Sequence, residues 1–341
     1  MSSFAGKPAY IIAEAGVNHN GSMDMARRLI DVAVEAGADA VKFQTFKIAS
    51  VVSVHTPMAE YQAENTGGKG TMAEMLVGLD LSFADFAELA AYAQQKGIDF
   101  LSTGFDVESI EFLATLGMKY FKIPSGEVTN PELVRLMGRQ GRPIIMSSGM
   151  ATLGDIEQAI GWLNEEGAED IVLLHCVSDY PADPKDANLA AMDTMAQAFG
   201  LPVGWSDHTL GDTVTIAAVA RGACVIEKHF TLDTELPGPD HKASLDPAGL
   251  KRMVENIRIT ESAIGTGRKK PTEREVKVAA VARRSIVARR DIPVGAVLSR
   301  EDVVFLRPGN GIAPIHLDFL LGRTVRNPIK EGHLLNTADL G

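Results

Sequence analysis

The sequence predicts a (β/α)8 barrel followed by a small, mainly β domain, and three observations carry that expectation. Short runs rich in Ile and Val alternate with amphipathic stretches of helical length over the first 265 or so residues. Polar side chains recur at the ends of those runs. After Gly265 the chain turns charged, then breaks into short β-like pieces with turn signals.

Eight runs read as strands: Tyr10–Glu14, Ala40–Gln44, Asp99–Thr103, Tyr120–Ile123, Pro143–Ser147, Ile171–Cys176, Val203–Ser206 and Ala223–His229. The helices between them have legible ends. Ser82 with Asp85 makes a capping box, and Gly97 closes that helix. Asn130–Pro131 and Asp246–Pro247 each place a capping side chain before a proline at the first helical position. A doubly wound open sheet is the alternative. It usually needs fewer strands and often has a glycine-rich dinucleotide turn, and no G-x-G-x-x-G follows the first strand. The expected division is a barrel over 1–265, a linker with some helix over 266–284 and a second domain over 285–341. So small a second domain calls for a partner surface to be stable.

The composition narrows the function. With 33 Lys plus Arg against 44 Asp plus Glu, the net charge of -11 opposes nucleic acid and anionic lipid but not a local cationic pocket. Cys176 and Cys224 are the only cysteines and both lie in apolar runs, so they read as structural, and a reducing cytoplasm fits best. The segment MSSFAGKPAY has no signal-peptide pattern, and no run approaches the roughly 20 apolar residues of a membrane span.

Alternate strand residues point into a barrel, and chemistry gathers at the C-terminal strand ends. Counting in twos puts Glu14, Lys42 with Gln44, Thr103, Lys122, Ser147, His175, Ser206 with His208, and Glu227 with His229 on the inner face. Eight strands ending in an inward polar group are hard to produce in a purely structural barrel. His208 and His229 at adjacent strand ends could bind a divalent metal with positions left open, or could each be a satisfied rim residue. Glu227 and its polar neighbours favour the metal; Mn2+, Mg2+ or Zn2+ would suit, with Mn2+ or Mg2+ preferred.

Lys42, Lys122, Thr103, Ser125, Ser147 and Ser206 supply the donors that a small anion carrying phosphate and carboxylate requires. The bland reading of each lysine is a salt bridge, with Glu14 or Glu127 as partner. A Schiff-base role is the sharper rival for Lys122. Glycines in Pro124–Glu127 and Ser148–Met150 permit close backbone approach to a ligand, a weak signal in isolation.

The motifs IIAEAGVNHNGS, DAVKFQTFK, KIPSGE, SSGMAT, GWSDHT and EKHFTLD, with PGPDH beyond them, resemble those of the N-acetylneuraminate synthase family. ARRSIVARRDIPVGAVLSREDV and RPGNGIAP resemble its C-terminal antifreeze-like (SAF) domain. The resemblance implies condensation of phosphoenolpyruvate with N-acetylmannosamine and water, giving N-acetylneuraminate and phosphate by C–O cleavage. The same chemistry on a diacetamido-trideoxy hexose, giving legionaminic or pseudaminic acid, is the alternative; an aldolase and a non-catalytic sugar-binding protein rank lower. By resemblance His208 and His229 match the metal ligands. Lys42, Thr103, Lys122, Ser125, Ser147 and Ser206 match phosphoenolpyruvate contacts, and Glu14, Gln44, Tyr180 and Asp240 match sugar contacts. Glu227 joins the substrate-binding set, and Glu14, Lys42, Lys122 and Glu127 are the catalytic candidates. The resemblance also implies a homodimer in which the SAF domain reaches over the partner's barrel and brings Arg307 to the sugar. One position departs from the pattern: Ser178 stands where the family often has Asn as a phosphate contact, and serine reaches less far.

Overall fold

The computed structural model describes Phe4 and residues 6–53, 55–66 and 70–341. Contacts divide it into two compact units, Met1–Gly265 and Thr266–Gly341.

The first unit is a barrel of eight parallel strands: β1 (Tyr10–Gly16), β2 (Ala40–Thr45), β3 (Asp99–Gly104), β4 (Phe121–Ile123), β5 (Ile144–Ser147), β6 (Ile171–Cys176), β7 (Val203–Asp207) and β8 (Val225–His229). β1 pairs with both β2 and β8, which turns the sheet back on itself. The seam lies between β3 and β4, where the Ser102 amide donates to Met118 Sδ rather than to a neighbouring carbonyl. Branched aliphatics such as Ile12, Ile145 and Val172 fill the interior, fully buried. At the N-terminal end Phe4, Tyr10 and Tyr120 pack ring on ring, with centroids 5.0–5.6 Å apart, and plug the barrel. Only the C-terminal mouth is left for polar chemistry.

The helix ends follow the sequence. Ser82 and Asp85 form a reciprocal capping box, and Gly97 ends that helix in the left-handed region. Asn130 and Asp246 cap the helices Pro131–Gly138 and Pro247–Ile264. Each cap fixes where a helix begins, and so how far a strand-end loop extends over the mouth.

In the second unit β9 (Ser285–Ala288) pairs antiparallel with β10 (Val303–Leu306) over a small core that includes Ile286, Ile292, Leu298 and Val325. The stretch 266–284 contains a helix, Glu273–Ala282, tied to the unit by the Gly309 amide donating to the Ala280 carbonyl. Among the described residues no helix is long and apolar enough to cross a membrane.

One inward residue differs from expectation. Leu174 pairs in register with Ser147, and Cys176 with Ser206. Paired residues of parallel strands share a face, so Cys176 points into the barrel and His175 points out. His175 packs on Trp205, centroids 5.1 Å apart, and its Nε2 hydrogen-bonds the Ala187 carbonyl at 2.9 Å. Polarity was a misleading guide on β6, because a histidine finds a partner among the surrounding helices as readily as at the mouth.

Candidate active site

The register of the ladders assembles the site. Glu14 pairs with both Lys42 and His229, Lys42 with Leu101, and Ser206 with Glu227, so these side chains form one layer at the mouth. Four charges alternate within it. Lys42 Nζ lies 2.9 Å from Glu14 Oε2 and 3.6 Å from Glu227 Oε2, while Lys122 Nζ lies 3.7 Å from Glu227 Oε1. Hydroxyls complete the lysines' shells: Thr103 Oγ1 at 3.1 Å from Lys42, and Ser147 Oγ at 2.7 Å from Lys122. Ser206 Oγ donates to Glu227 Oε1 at 3.1 Å. All of these residues are buried.

Burial and pairing split the titrations. Burial pushes Glu14 up to about 7, although Lys42 pulls the other way. Glu227 also suffers burial, but Lys122 and Lys42 together draw it down to about 2. Burial lowers Lys122, whereas the Glu14 and Glu227 carboxylates outweigh burial and raise Lys42. One carboxylate is thus firmly charged and the other is poised near neutrality, the division that acid–base work needs.

The layer is incompletely satisfied. Glu14 Oε2, Glu227 Oε2 and His229 Nδ1 are buried and have no hydrogen-bond partner among the described residues. The two carboxylate oxygens share one ammonium, that of Lys42, at 2.9 and 3.6 Å. Buried polar atoms are rarely left this way unless something else binds there.

Beside this layer, Ser125 Oγ accepts from the Gly149 amide at 2.9 Å. A Cβ on Gly149 would stand 2.8 Å from Ser125 Oγ and collide with Ser178 Oγ. The structure therefore brings Ser125 and Ser178 together around the glycine of the SSGM turn, where any side chain would displace their hydroxyls. Cys176 belongs here too: Ser125 Oγ lies 3.7 Å and His208 Nδ1 3.8 Å from its Sγ. Its position at a strand end was the available signal, and its apolar sequence surroundings concealed it.

His208 and His229 face each other with ring centroids 5.4 Å apart. His208 Nδ1 hydrogen-bonds the Val177 carbonyl at 2.6 Å; a carbonyl can only accept, so that nitrogen carries a proton, and Nε2 is the nitrogen left to meet a ligand. Burial, with His208 and Lys42 nearby, holds His229 well below the usual histidine range and hence neutral. His229, neutral and with an unpartnered nitrogen, fits one ligand of an open divalent-cation site; His208, lowered by burial but raised on balance by Cys176 and the Val177 carbonyl, would join it on losing its Nε2 proton. They do not make a closed cage: no group of three or more His, Cys, Asp or Glu converges in that way among the described residues. Asp240 Oδ2 stands 4.0 Å from His229 Nδ1, and burial raises its carboxyl to about 6.

The sugar-side candidates cluster next to the histidines. The Tyr180 ring lies 4.0 Å from His208 and 5.7 Å from His229, centroid to centroid. Gln44 Nε2 approaches Glu14 Oε1 at 3.4 Å, and Gly16, in the left-handed region, lets Gln44, Glu14 and His229 close around it. The PGPDH loop that carries Asp240 is pinned by Asn20, whose Nδ2 donates to the Pro237 carbonyl at 2.9 Å and whose Oδ1 meets His241 Nε2 at 3.2 Å. Asn20 and Tyr61 are additions to the sequence reading. Tyr61 stacks on Tyr180 at 5.0 Å from an unremarkable helical stretch, so nothing in the sequence marked it.

One barrel candidate lies apart from this layer. Glu127 accepts from Asn130 Nδ2 at 2.8 Å and lines a rim groove with Asp106 and Glu108. Arg307 lies in the second unit, exposed, with its Nε donating to the Ala282 carbonyl at 2.8 Å.

Known proteins give this geometry its place. Residues 29–269 match the NeuB family and residues 283–341 the SAF domain. The chain belongs to the NeuB family. It is 48% identical over 330 residues to the N,N'-diacetyllegionaminic acid synthase of Legionella pneumophila, covering 96% of this chain and 93% of that protein. It is 36% identical to the N-acetylneuraminate-9-phosphate synthase of Mus musculus, covering 95% and 90%. Among solved structures, the N-acetylneuraminic acid synthetase of Leptospira borgpetersenii superposes with a TM-score of 0.70 at 33% identity, covering 80% of this chain and 90% of that one. These NeuB relatives are named synthases, and the chain is an enzyme of that sialic-acid-synthase type.

Proposed function

We propose that this enzyme condenses phosphoenolpyruvate with an open-chain N-acylated amino sugar, and that the sugar is a diacetamido-trideoxy hexose rather than N-acetylmannosamine. The product is then a legionaminic-type nine-carbon keto acid. The observation that carries the reaction is the buried layer in which Lys42 and Lys122 flank Glu227 while two carboxylate oxygens have only the shared Lys42 ammonium and no hydrogen bond. The choice of sugar rests on the 48% identity to a legionaminic acid synthase, against 36% to a synthase named for N-acetylneuraminate 9-phosphate.

In this reading Lys42 and Lys122 hold the anion in line, and Thr103, Ser125, Ser147, Ser178 and Ser206 donate to its oxygens. Gly149 leaves room for it. Gln44, Tyr180 and Asp240 orient the sugar, with its aldehyde towards His208 and His229. A divalent ion on those histidines, when bound, supplies Lewis-acid polarisation of the aldehyde oxygen. Carbon 3 of phosphoenolpyruvate bonds to the aldehyde carbon, water adds at carbon 2, and phosphate leaves with the bridging oxygen. Glu14, poised near 7 although paired with Lys42, takes the proton of that water. The homodimer, with Arg307 of one chain serving the partner's sugar site, is part of the same proposal.

Phosphate release tests it, using phosphoenolpyruvate and a sugar panel with and without EDTA. Turnover is expected with the diacetamido-trideoxy hexose, more weakly with N-acetylmannosamine, and to fall on chelation. Release that is fastest with N-acetylmannosamine would overturn the choice of sugar, and release with no sugar would overturn the reaction. The lowered Lys122 favours one second reading, a Schiff base with pyruvate. Borohydride would then trap a pyruvyl adduct, and EDTA would leave the activity intact.

A further inference from the structure

Beside the histidines lies a small cavity of about 110 Å3. Gln44, Tyr180, His229 and Asp240 line its polar side, towards the reacting aldehyde. The rest of the lining is Pro239, Gln62, whose Oε1 already accepts from the Ala59 amide, and four apolar or aromatic side chains, Val17, Tyr61, Met75 and Leu76. Its volume is well below the ~300–1,000 Å3 of a whole ligand pocket, so it receives one end of a sugar.

The apolar side has three features. None of its four residues belongs to the barrel's hydrophobic core, although Val17 is buried and Tyr61, Met75 and Leu76 are half-buried. Side chains of that kind are normally spent on the core; here they face the cavity. Tyr61, Met75 and Leu76 sit on the helices Glu60–Thr66 and Met72–Leu76, within the long β2–β3 connection, and the stack of Tyr61 on Tyr180 ties that connection to the site. Finally, no lysine or arginine lines the cavity among the described residues, and its one carboxyl is Asp240. Met75 and Pro239 also border a second cavity of about 290 Å3 that carries the Thr66 and Thr71 hydroxyls, so there is further room beyond the wall for an acyl group.

The chemistry of this wall discriminates. A hydroxyl pressed against Val17, Met75 and Leu76 gives up its water without gaining a partner from them, and a phosphate would also meet Asp240 with no cation among the described lining residues to offset it. A bare methyl loses nothing and buries apolar surface. We infer that Val17, Tyr61, Met75 and Leu76 form the specificity wall of the acceptor site, selecting a sugar whose far carbon is deoxygenated and rejecting its hydroxylated or phosphorylated counterparts.

This inference rests on the reading of the site as a sugar-condensing centre, and its test keeps the two apart. Calorimetry with the full-length enzyme measures binding of two unreactive open-chain alditols, one from N-acetylmannosamine and one from its 6-deoxy analogue. The wild type is expected to favour the deoxy alditol at least tenfold, the scale on which an apolar pocket separates close analogues. Leu76→Asn should bring that ratio near one, and Leu76→Met should keep it. Tyr61→Ala, read in the same way, serves if Leu76→Asn does not fold. Equal affinities in the wild type, or a ratio unmoved by Leu76→Asn and Tyr61→Ala, overturn the inference while leaving phosphate release intact. Absence of phosphate release with every sugar defeats the proposed reaction, and the alditol ratio still decides the wall.

Discussion

Strands β7 and β8 carry two buried lysine–carboxylate arrangements on opposite faces, and they differ in one respect. On the outer face Lys228 Nζ lies 3.0 Å from Asp207 Oδ2, with both side chains fully inaccessible. Asp207 also accepts from the Thr209 amide and hydroxyl and from Thr215 Oγ1, and Lys228 also donates to the Thr209 carbonyl. On the inner face Glu227, next to Lys228 in sequence, keeps an oxygen without a hydrogen bond although it lies between two lysines. The outer pair is closed and complete; it joins the strand ends immediately before His208 and His229. The inner layer is open. Burial alone does not mark a functional charge, and an unmet hydrogen-bonding requirement is the better guide.

Substitutions on the two faces should therefore have opposite effects. Lys122→Met is expected to lower turnover by roughly 10^3, since removing one positioned donor to a reacting anion costs about that much, and to cost less stability than Lys228→Met because Lys42 still faces Glu227. Phosphate release and thermal unfolding on the same preparation check it. Lys228→Met leaves Asp207 charged and buried, and should cost about 3–5 kcal/mol of stability. Asp207→Leu together with Lys228→Met should recover only part of that loss, because Thr209 and Thr215 lose the acceptor they share, and denaturant unfolding reads the difference directly. If Lys122→Met were the unstable variant and Lys228→Met the inactive but stable one, the contrast between the faces would be wrong.

The pH dependence sharpens the inner face. Below about 7 Glu14 is protonated and cannot accept the proton of the attacking water, so kcat/KM should fall about tenfold per pH unit on that acid limb. Glu14→Gln should be slow and should lack the limb. For stability the signs are opposite. Glu14, raised by burial, contributes most below the ordinary carboxylate range and loses that contribution as pH rises through 7. Glu227, held down by the lysines, contributes above the ordinary range and loses it as pH falls towards 2. The smallest expected effect is at Gly149→Ala. Serine side chains can rotate away from the added methyl, so the KM for phosphoenolpyruvate should rise roughly tenfold, about 1.4 kcal/mol, with the fold intact.

Much of this was legible in the sequence, because a barrel strand has a period of two and its helices announce their ends. Glu14, Lys42, Thr103, Lys122, Ser147, Ser206 and Glu227 could be placed by counting alone. Counting failed on β6, where the polar residue faces the helices and the cysteine faces the site. It was silent about the distances that leave Glu227 under-satisfied, since those depend on side-chain reach across three strands. Tyr61, Met75 and Leu76 lie in a long connection without periodicity, and only the fold brings them to the histidines. The choice between sugars lay beyond strand-end chemistry, which is shared by every acceptor with an aldehyde, and the similarity to a legionaminic acid synthase moves it away from N-acetylmannosamine.

The central claim is that the open inner layer is a phosphoenolpyruvate site and the closed outer pair is scaffold. Calorimetric titration of phosphoenolpyruvate into the wild type, Lys122→Met and the Asp207→Leu/Lys228→Met double variant tests it most directly. Binding should be clear in the wild type, close to wild type in the double variant and at least a hundredfold weaker in Lys122→Met. Undiminished binding to Lys122→Met would contradict the account.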